Sequence, residues 1–277
     1  PVIHDALDAA FLLMAAVLPG GETGARLLAE TRAVEAAVVG SAALIAACSA
    51  EDARALAEEY GAPAERFTVV PNGVDGGATP FLGGERRRLR RGRWLQAVSG
   101  SLDGLVPSHS ALFMGSWHPP NIEAAERVVE IAPDLPEVVF LMVGGHCAAL
   151  DGRVLPDNVV LCGELPDALK RSLLWTADLG LNPMLSGSGT NLKLVEYFAA
   201  GLPALSTPVG ARGLAVRAGE HLRITPAEVL GAAIAEALAE PEAGAAMAVR
   251  ARRLVDEELD WEVIGGRFRD AVAGVLA

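Results

Sequence analysis

Lys193, Glu196 and the small-residue run before them, Ser186-Gly187-Ser188-Gly189-Thr190-Asn191, could together bind a charged, hydroxylated ligand. Glycine has no Cβ, so such a loop turns sharply and lets a ligand come close to its backbone. The first N–H groups of a helix have no partner within it and sit at the positive end of its dipole. A glycine loop running into the helix start Leu192-Lys193-Leu194-Val195-Glu196 is therefore an anion site, for phosphate above all. Lys193 adds a full charge there. Glu196, three residues on and on the same face, can accept hydrogen bonds from sugar hydroxyls. A plain helix cap with a surface ion pair fits the same residues. The loop lacks the GxxxxGK[ST] spacing of a P-loop, and GSGTNL lacks the third glycine of a dinucleotide fingerprint.

The elements that must position these groups alternate in type. Residues 43–48 form a short apolar strand, Ser49 caps a helix through Tyr60 with Glu51 and Asp52 in its first turn, and Gly61 ends it. Residues 67–70 form the next strand, followed by the turn Pro71-Asn72-Gly73-Val74-Asp75. Upstream lie a strand end at 1–6 and a helix at 25–42. Beyond residue 110, strands are expected at 111–115, 138–145, 159–163, 179–182 and 204–207, with helices at 122–131 and 167–175 and from 192. Helices at 227–239, 245–258 and 261–276 close the chain. Alternation of this kind specifies a parallel sheet, whose ligands bind at the carboxyl ends of the strands. Gly115-Ser116, Gly144-Gly145, Cys162-Gly163 and the 187–191 loop all fall at such ends. His118, just past the first of them, is either a cap for the next helix or a residue facing the ligand.

Composition narrows the partners. The 277 residues are long enough for two domains, and a formal charge of −12 argues against nucleic acid as the main partner. One phosphate pocket needs only local positive potential. Cys48, Cys147 and Cys162 are few, odd in number and each set among apolar residues, as buried thiols of a reducing compartment would be. No metal-ligand spacing is present. Only Lys170 and Lys193 are lysine among 23 basic residues, and one of the two stands beside the glycine loop. Residues 85–93 carry six arginines, which fits a solvated basic loop or helix, a nucleic-acid patch, or a contact of Arg86–Arg93 with an anionic membrane. The apolar run 9–18 is too short to cross a bilayer, and a chain opening on Pro1 rather than methionine is expected to be a processed or excised piece.

The run from Asn182 to Gly213 resembles the donor-binding segment of family 4 glycosyltransferases, in which a glycine loop enters a helix carrying a glutamate, followed by an A-x-G-x-P turn and a strand. Here these are Gly187 to Asn191, Glu196, and Ala200-Gly201-Leu202-Pro203 leading into residues 204–207. The earlier Pro71-Asn72-Gly73-Val74-Asp75 is similar to the run that closes the N-terminal domain of that family. The resemblance covers about residues 43–277.

It implies an α/β fold of the GT-B type: two Rossmann-like, doubly wound parallel-sheet domains, the first only partly present. Residues 1–75 would be the C-terminal part of an acceptor-side domain, 76–110 a linker, and 111–277 the donor domain with its closing helix. The implied reaction moves a sugar from a nucleoside diphosphate sugar to a glycan, lipid-linked sugar or small molecule, retaining configuration, with no cofactor or essential metal. Lys193, Glu196 and His118 would be the catalytic set; Ser116, Gly163, Gly187, Ser188, Gly189, Thr190 and Asn191 would bind the donor. The backbone of 187–191 and Lys193 would hold the diphosphate, Glu196 the ribose, and the turn at Cys162-Gly163 the base.

This chain departs from the family in having no arginine or lysine between Gly115 and Asn121, and in placing Ser188 where an E-x7-E pattern has its first acid. Asp5-Ala6-Leu7 aligns with an aspartate–histidine pattern of some relatives. Relatives of this kind work in the cytoplasm, many at the inner face of the membrane. A non-catalytic donor-binding or scaffold fragment is the alternative, and a Rossmann-like protein of other chemistry, such as sugar-nucleotide epimerisation, a third.

Overall fold

The computed structural model describes residues 1–6, 8–99, 107–187 and 189–276. In chain order the elements are β1 (Ile3–Ala6), α1 (Ala10–Val17), α2 (Glu22–Ser41), β2 (Leu44–Ala47), α3 (Ala50–Tyr60), β3 (Phe67–Val69) and α4 (Gly84–Ser99). Then come β4 (His109–Met114), α5 (Pro119–Ile131), β5 (Val138–Val143), β6 (Val159–Gly163), α6 (Asp167–Thr176), β7 (Leu179–Asn182) and α7 (Leu192–Ala200). The chain ends with β8 (Ala204–Ser206), α8 (Pro208–Ala211), β9 (Arg223–Ile224), α9 (Leu230–Ala239), α10 (Pro241–Leu254) and α11 (Trp261–Leu276).

Two parallel sheets result, one of three strands in the order β1-β2-β3 and one of six in the order β6-β5-β4-β7-β8-β9. The larger order is that of a doubly wound sheet, and it reverses direction between β4 and β7. Both faces of this sheet are covered, so its strands are continuously apolar rather than alternating. Phe113, Phe140, Met142 and Leu181 pack with Val128 of α5 and Ile234 of α9. On the other face Leu112, Leu141 and Val143 pack with Leu174, Leu194, Phe198 and Leu254. Tyr197 is fully buried there; its hydroxyl accepts from the Met114 N–H and lies 3.2 Å from the Leu112 and Leu181 carbonyls. A Cβ on Gly180 would sit 2.6 Å from the Tyr197 ring, so glycine is required at the centre of β7.

Local signals did much of the placing. The Ser49 hydroxyl accepts from the Asp52 N–H at the start of α3, and Gly61 ends that helix in the left-handed conformation. Pro119-Pro120 and Pro241 start α5 and α10 earlier than the apolar spacing predicts, because proline at the first helical positions gives up an N–H that has no helical partner. Residues 255–258, expected to continue the helix, instead belong to a π turn over Val255–Leu259. Cys48 and Cys147 are buried as predicted, whereas Cys162 is only half-buried.

The arginine run forms α4, and most of it is committed within the chain. Arg87 is 5 % exposed; its guanidinium donates to the carbonyls of Leu174 and Ala177 at the end of α6 and of Ala200 at the end of α7. One planar cation thus satisfies the carbonyl ends of two helices. Burial lowers its pKa to about 10. Arg91 pairs with Asp178 at 2.6 Å, Arg88 with Glu242 at 3.1 Å, and Arg90 lies over the Trp175 ring. The run expected as a linker is a helix clamped to the larger unit, with Arg87 buried and Arg86, Arg88, Arg90 and Arg93 on its exposed side. Among the described residues no helix is long and apolar enough to cross a membrane.

The two units meet at residues 72–76. Val74 bridges Asp260: its N–H donates to the Leu259 carbonyl, and its own carbonyl accepts from the Trp261 N–H. A Cβ on Gly73 would lie 2.6 Å from Ile264 and 2.8 Å from the Leu259 carbonyl oxygen, which explains glycine in that turn.

Candidate functional site

A cavity of about 580 Å³ opens at the carboxyl ends of β4, β5 and β7, where the strand order reverses. Its walls are the Gly115-Ser116 and Gly144-Gly145 strand ends, the start of α5, the loop before α7, and α7 itself. Close packing forms the floor: a Cβ on Gly144, which has φ +116°, would lie 2.2 Å from the Gly115 carbonyl oxygen. That same oxygen accepts from Nδ1 of His146 at 2.8 Å, so the ring carries its proton on Nδ1. Burial holds the His146 pKa below its ordinary value.

Lys193 enters this space from the first turn of α7. Its Nζ donates to Oδ1 of Asn121 at 3.0 Å and of Asn191 at 3.3 Å, and lies 5.3 Å from the centre of the Phe113 ring. These partners are neutral, and desolvation lowers its pKa to about 8. A cation placed among dipoles rather than carboxylates remains available to an incoming anion. Asn121 is buried and also donates from Nδ2 to the Ser116 carbonyl, which ties the start of α5 to α7. The Asn191 side chain makes no cap bond to α7, so the helix start is left for a ligand or solvent.

Glu196 borders the same cavity, but its partner is Lys170 of α6, at 3.1 Å, rather than Lys193. The surface pair within α7 that the spacing allowed does not form. His118 occupies the N-cap position of α5 without using its side chain there; the ring is exposed on the cavity. Capping is thus carried by backbone alone.

Of the sequence-predicted residues, Ser116, His118, Gly187, Thr190, Asn191, Lys193 and Glu196 converge on this one cavity. Ser188 lies outside the described residues. Gly163 does not border the cavity. At φ +62° it turns the chain, accepts from the Gly144 N–H, and delivers Glu164 and Leu165 to the wall instead. Gly189 stands behind the rim, where a Cβ would fall 2.3 Å from Oδ1 of Asp8.

Sequence reasoning missed Asn121, Lys170 and Arg212. Arg212 borders the cavity and donates to the Gly189 carbonyl at 3.1 Å. It also missed Asp8, since the aligned pattern pointed to Asp5. Burial and the nearby Asp52 raise the Asp8 pKa, while Arg212 and His118 oppose them. The Thr190 hydroxyl accepts from Nδ2 of Asn72, so the Pro71–Asp75 turn touches the glycine loop directly. The nearness of that turn to the loop depends on long-range packing and leaves no mark in local sequence.

Comparison with known proteins places this geometry. Residues 108–241 match the family model described as glycosyl transferases group 1. Phosphatidyl-myo-inositol mannosyltransferase of Mycobacterium tuberculosis is 29% identical over 197 residues, covering 64% of this chain and 51% of that protein. D-inositol 3-phosphate glycosyltransferase of Thermomonospora curvata is 32% identical over 241 residues, covering 79% and 53%. The chain spans about half the length of these relatives. Among solved structures, Anabaena Alr3699/HepE in complex with UDP and glucose superposes with a TM-score of 0.74 at 16% identity, over 99% of this chain and 72% of that one. Sucrose-phosphate synthase from Thermosynechococcus elongatus gives 0.73 at 18%, over 98% and 68%. At these identities the likeness is one of fold, two parallel-sheet units of the GT-B type.

Proposed function

We propose that this chain, whose residues 108–241 form a glycosyl transferases group 1 domain, holds a nucleoside diphosphate sugar and is the donor side of a glycosyltransferase. The observation that carries this reading is Lys193: a half-buried, desolvated cation with only neutral partners among the described residues, in the first turn of a helix whose N-cap side chain makes no cap bond, at the reversal point of a doubly wound sheet. Lys193 and the backbone of 187–191 bind the diphosphate and stabilise its charge as it leaves. Glu196 accepts the ribose hydroxyls, and the wall delivered by Gly163, at Glu164 and Leu165, receives the base. His118 and Ser116 face the transferred sugar. The reaction retains configuration and needs no metal, as the resemblance to family 4 implies.

Acceptors in the two relatives are named as inositol compounds, which supports a polyhydroxylated acceptor here, a glycan or lipid-linked sugar included. Arg86 and Arg93, both exposed and without an ion pair among the described residues, are the arginines of α4 that would touch an anionic membrane from the cytoplasmic side. Ser188, standing in place of an acid, favours the second reading, donor binding without transfer.

Titration calorimetry against UDP, GDP and ADP tests the assignment, with Lys193→Ala and Glu196→Ala beside the wild type. One nucleoside diphosphate should bind, weakened about tenfold or more by each substitution, as expected for loss of a charged hydrogen bond. A folded wild-type chain that binds none of the three refutes a donor site. Release of nucleoside diphosphate from the matching sugar donor separates transfer competence from binding alone.

A further inference from the structure

The chain uses lysine twice and arginine everywhere else, and both lysines reach the same cavity. Among the described residues Lys193 meets only neutral partners, whereas Lys170 approaches from α6 and ends 3.1 Å from Oε2 of Glu196. Its other acidic neighbour, Asp167, stands 4.0 Å away and 90% exposed, where solvent screens the attraction. Oε1 of Glu196 carries no hydrogen bond among the described residues. A second cavity of about 380 Å³, bordered by Asp75, Arg171 and Trp261, adjoins the first, and Lys170, Leu192 and Glu196 belong to the walls of both. Glu196 therefore has open space on either side and several rotamers to choose among.

From this we infer that Lys170 makes the site selective for a ribonucleoside: it fixes Glu196 so that one carboxylate oxygen is tethered and the other is left for the ribose hydroxyls. The inference rests on the nucleoside diphosphate reading of the cavity. An ammonium is a point charge that can satisfy one oxygen; an arginine fork would take both in bidentate fashion and leave none for a ligand. That difference accounts for lysine at this position in an arginine-rich chain. Tethering also removes rotamer freedom before the ligand arrives, so less is lost on binding. Lys170 is thus a positioning residue, acting through Glu196.

The test is titration of the wild type, Lys170→Met and Lys170→Arg with the nucleoside diphosphate that binds and with its 2′-deoxy and 3′-deoxy analogues, thermal melts confirming that each variant folds. The wild type should favour the ribose form by roughly tenfold or more over at least one analogue. Both variants should reduce that ratio to about threefold or less, while their affinity for the deoxy analogue stays within about twofold of the wild type. Retention of the wild-type ratio in either variant overturns the assignment. Equal weakening of ribose and deoxy forms also overturns it, since Lys170 would then add only positive potential for the diphosphate. A folded wild type that binds ribose and deoxy forms alike sinks the roles of Lys170 and Glu196 and leaves the diphosphate site standing. Binding of none sinks the nucleotide reading and this inference with it.

Discussion

Replacing Lys193 by methionine should make the empty protein more stable at neutral pH while weakening the binding of a nucleoside diphosphate. Burial lowers the Lys193 pKa from 10.5 to about 8. The folded chain therefore holds this proton less tightly than the unfolded chain does. Below pH 8 the deficit is complete, about 3 kcal/mol from the separation of the two values. Between pH 8 and 10.5 the unfolded chain binds more protons, so stability rises with pH and the deficit shrinks to under about 1 kcal/mol by pH 10. Methionine fills similar space without charge, but it leaves Oδ1 of buried Asn121 unpaired, at a cost of about 1 kcal/mol. The net expectation is a gain of about 2 kcal/mol at pH 7 and close to none at pH 10. Urea unfolding of both proteins at the two pH values, without ligand, measures it. Groups that titrate elsewhere are common to both proteins and cancel in the difference. A variant no more stable than wild type at pH 7, or a difference that does not change with pH, would refute the picture of Lys193 as a strained cation awaiting an anion.

Two further substitutions probe the frame around the site. Arg87→Lys should lower stability by about 2–4 kcal/mol in denaturant melts, because a single ammonium cannot reach the carbonyl ends of both α6 and α7; a loss under about 1 kcal/mol would show that solvent serves those carbonyls as well. Gly144→Ala should cost about 2 kcal/mol or more and weaken nucleotide binding, since its Cβ meets the Gly115 carbonyl. Gly152→Ala, also at positive φ but in open space, should cost only about 1 kcal/mol and leave binding unchanged; equal effects from the two would remove the close β4–β5 contact as the cause.

Much of the fold was legible because the signals are local. Ser49 and Gly61 bound α3 through their own backbone chemistry, and the apolar runs 138–143, 159–163 and 179–182 could be only buried parallel strands. The glycine loop and α7 were equally plain. What the arginine run touches was not legible, for the opposite reason. Charge in sequence says nothing of which carbonyls a helix will meet, and Arg87 found three of them on two other helices.

The same division holds within the site. Composition and spacing alone pointed to residues 187–196 as the stretch to propose for a phosphate-type anion, since helix-start N–H groups, small residues and one lysine stand within a single turn there. Tertiary structure alone decided the rest: that Lys193 rests on Asn121 and is desolvated, that Glu196 turns to Lys170 of α6, and that Asn72 touches Thr190. These depend on which helices share a sheet face and how deeply each group is buried. Desolvation and long-range Coulomb attraction act through space rather than along the chain, so no local pattern encodes them.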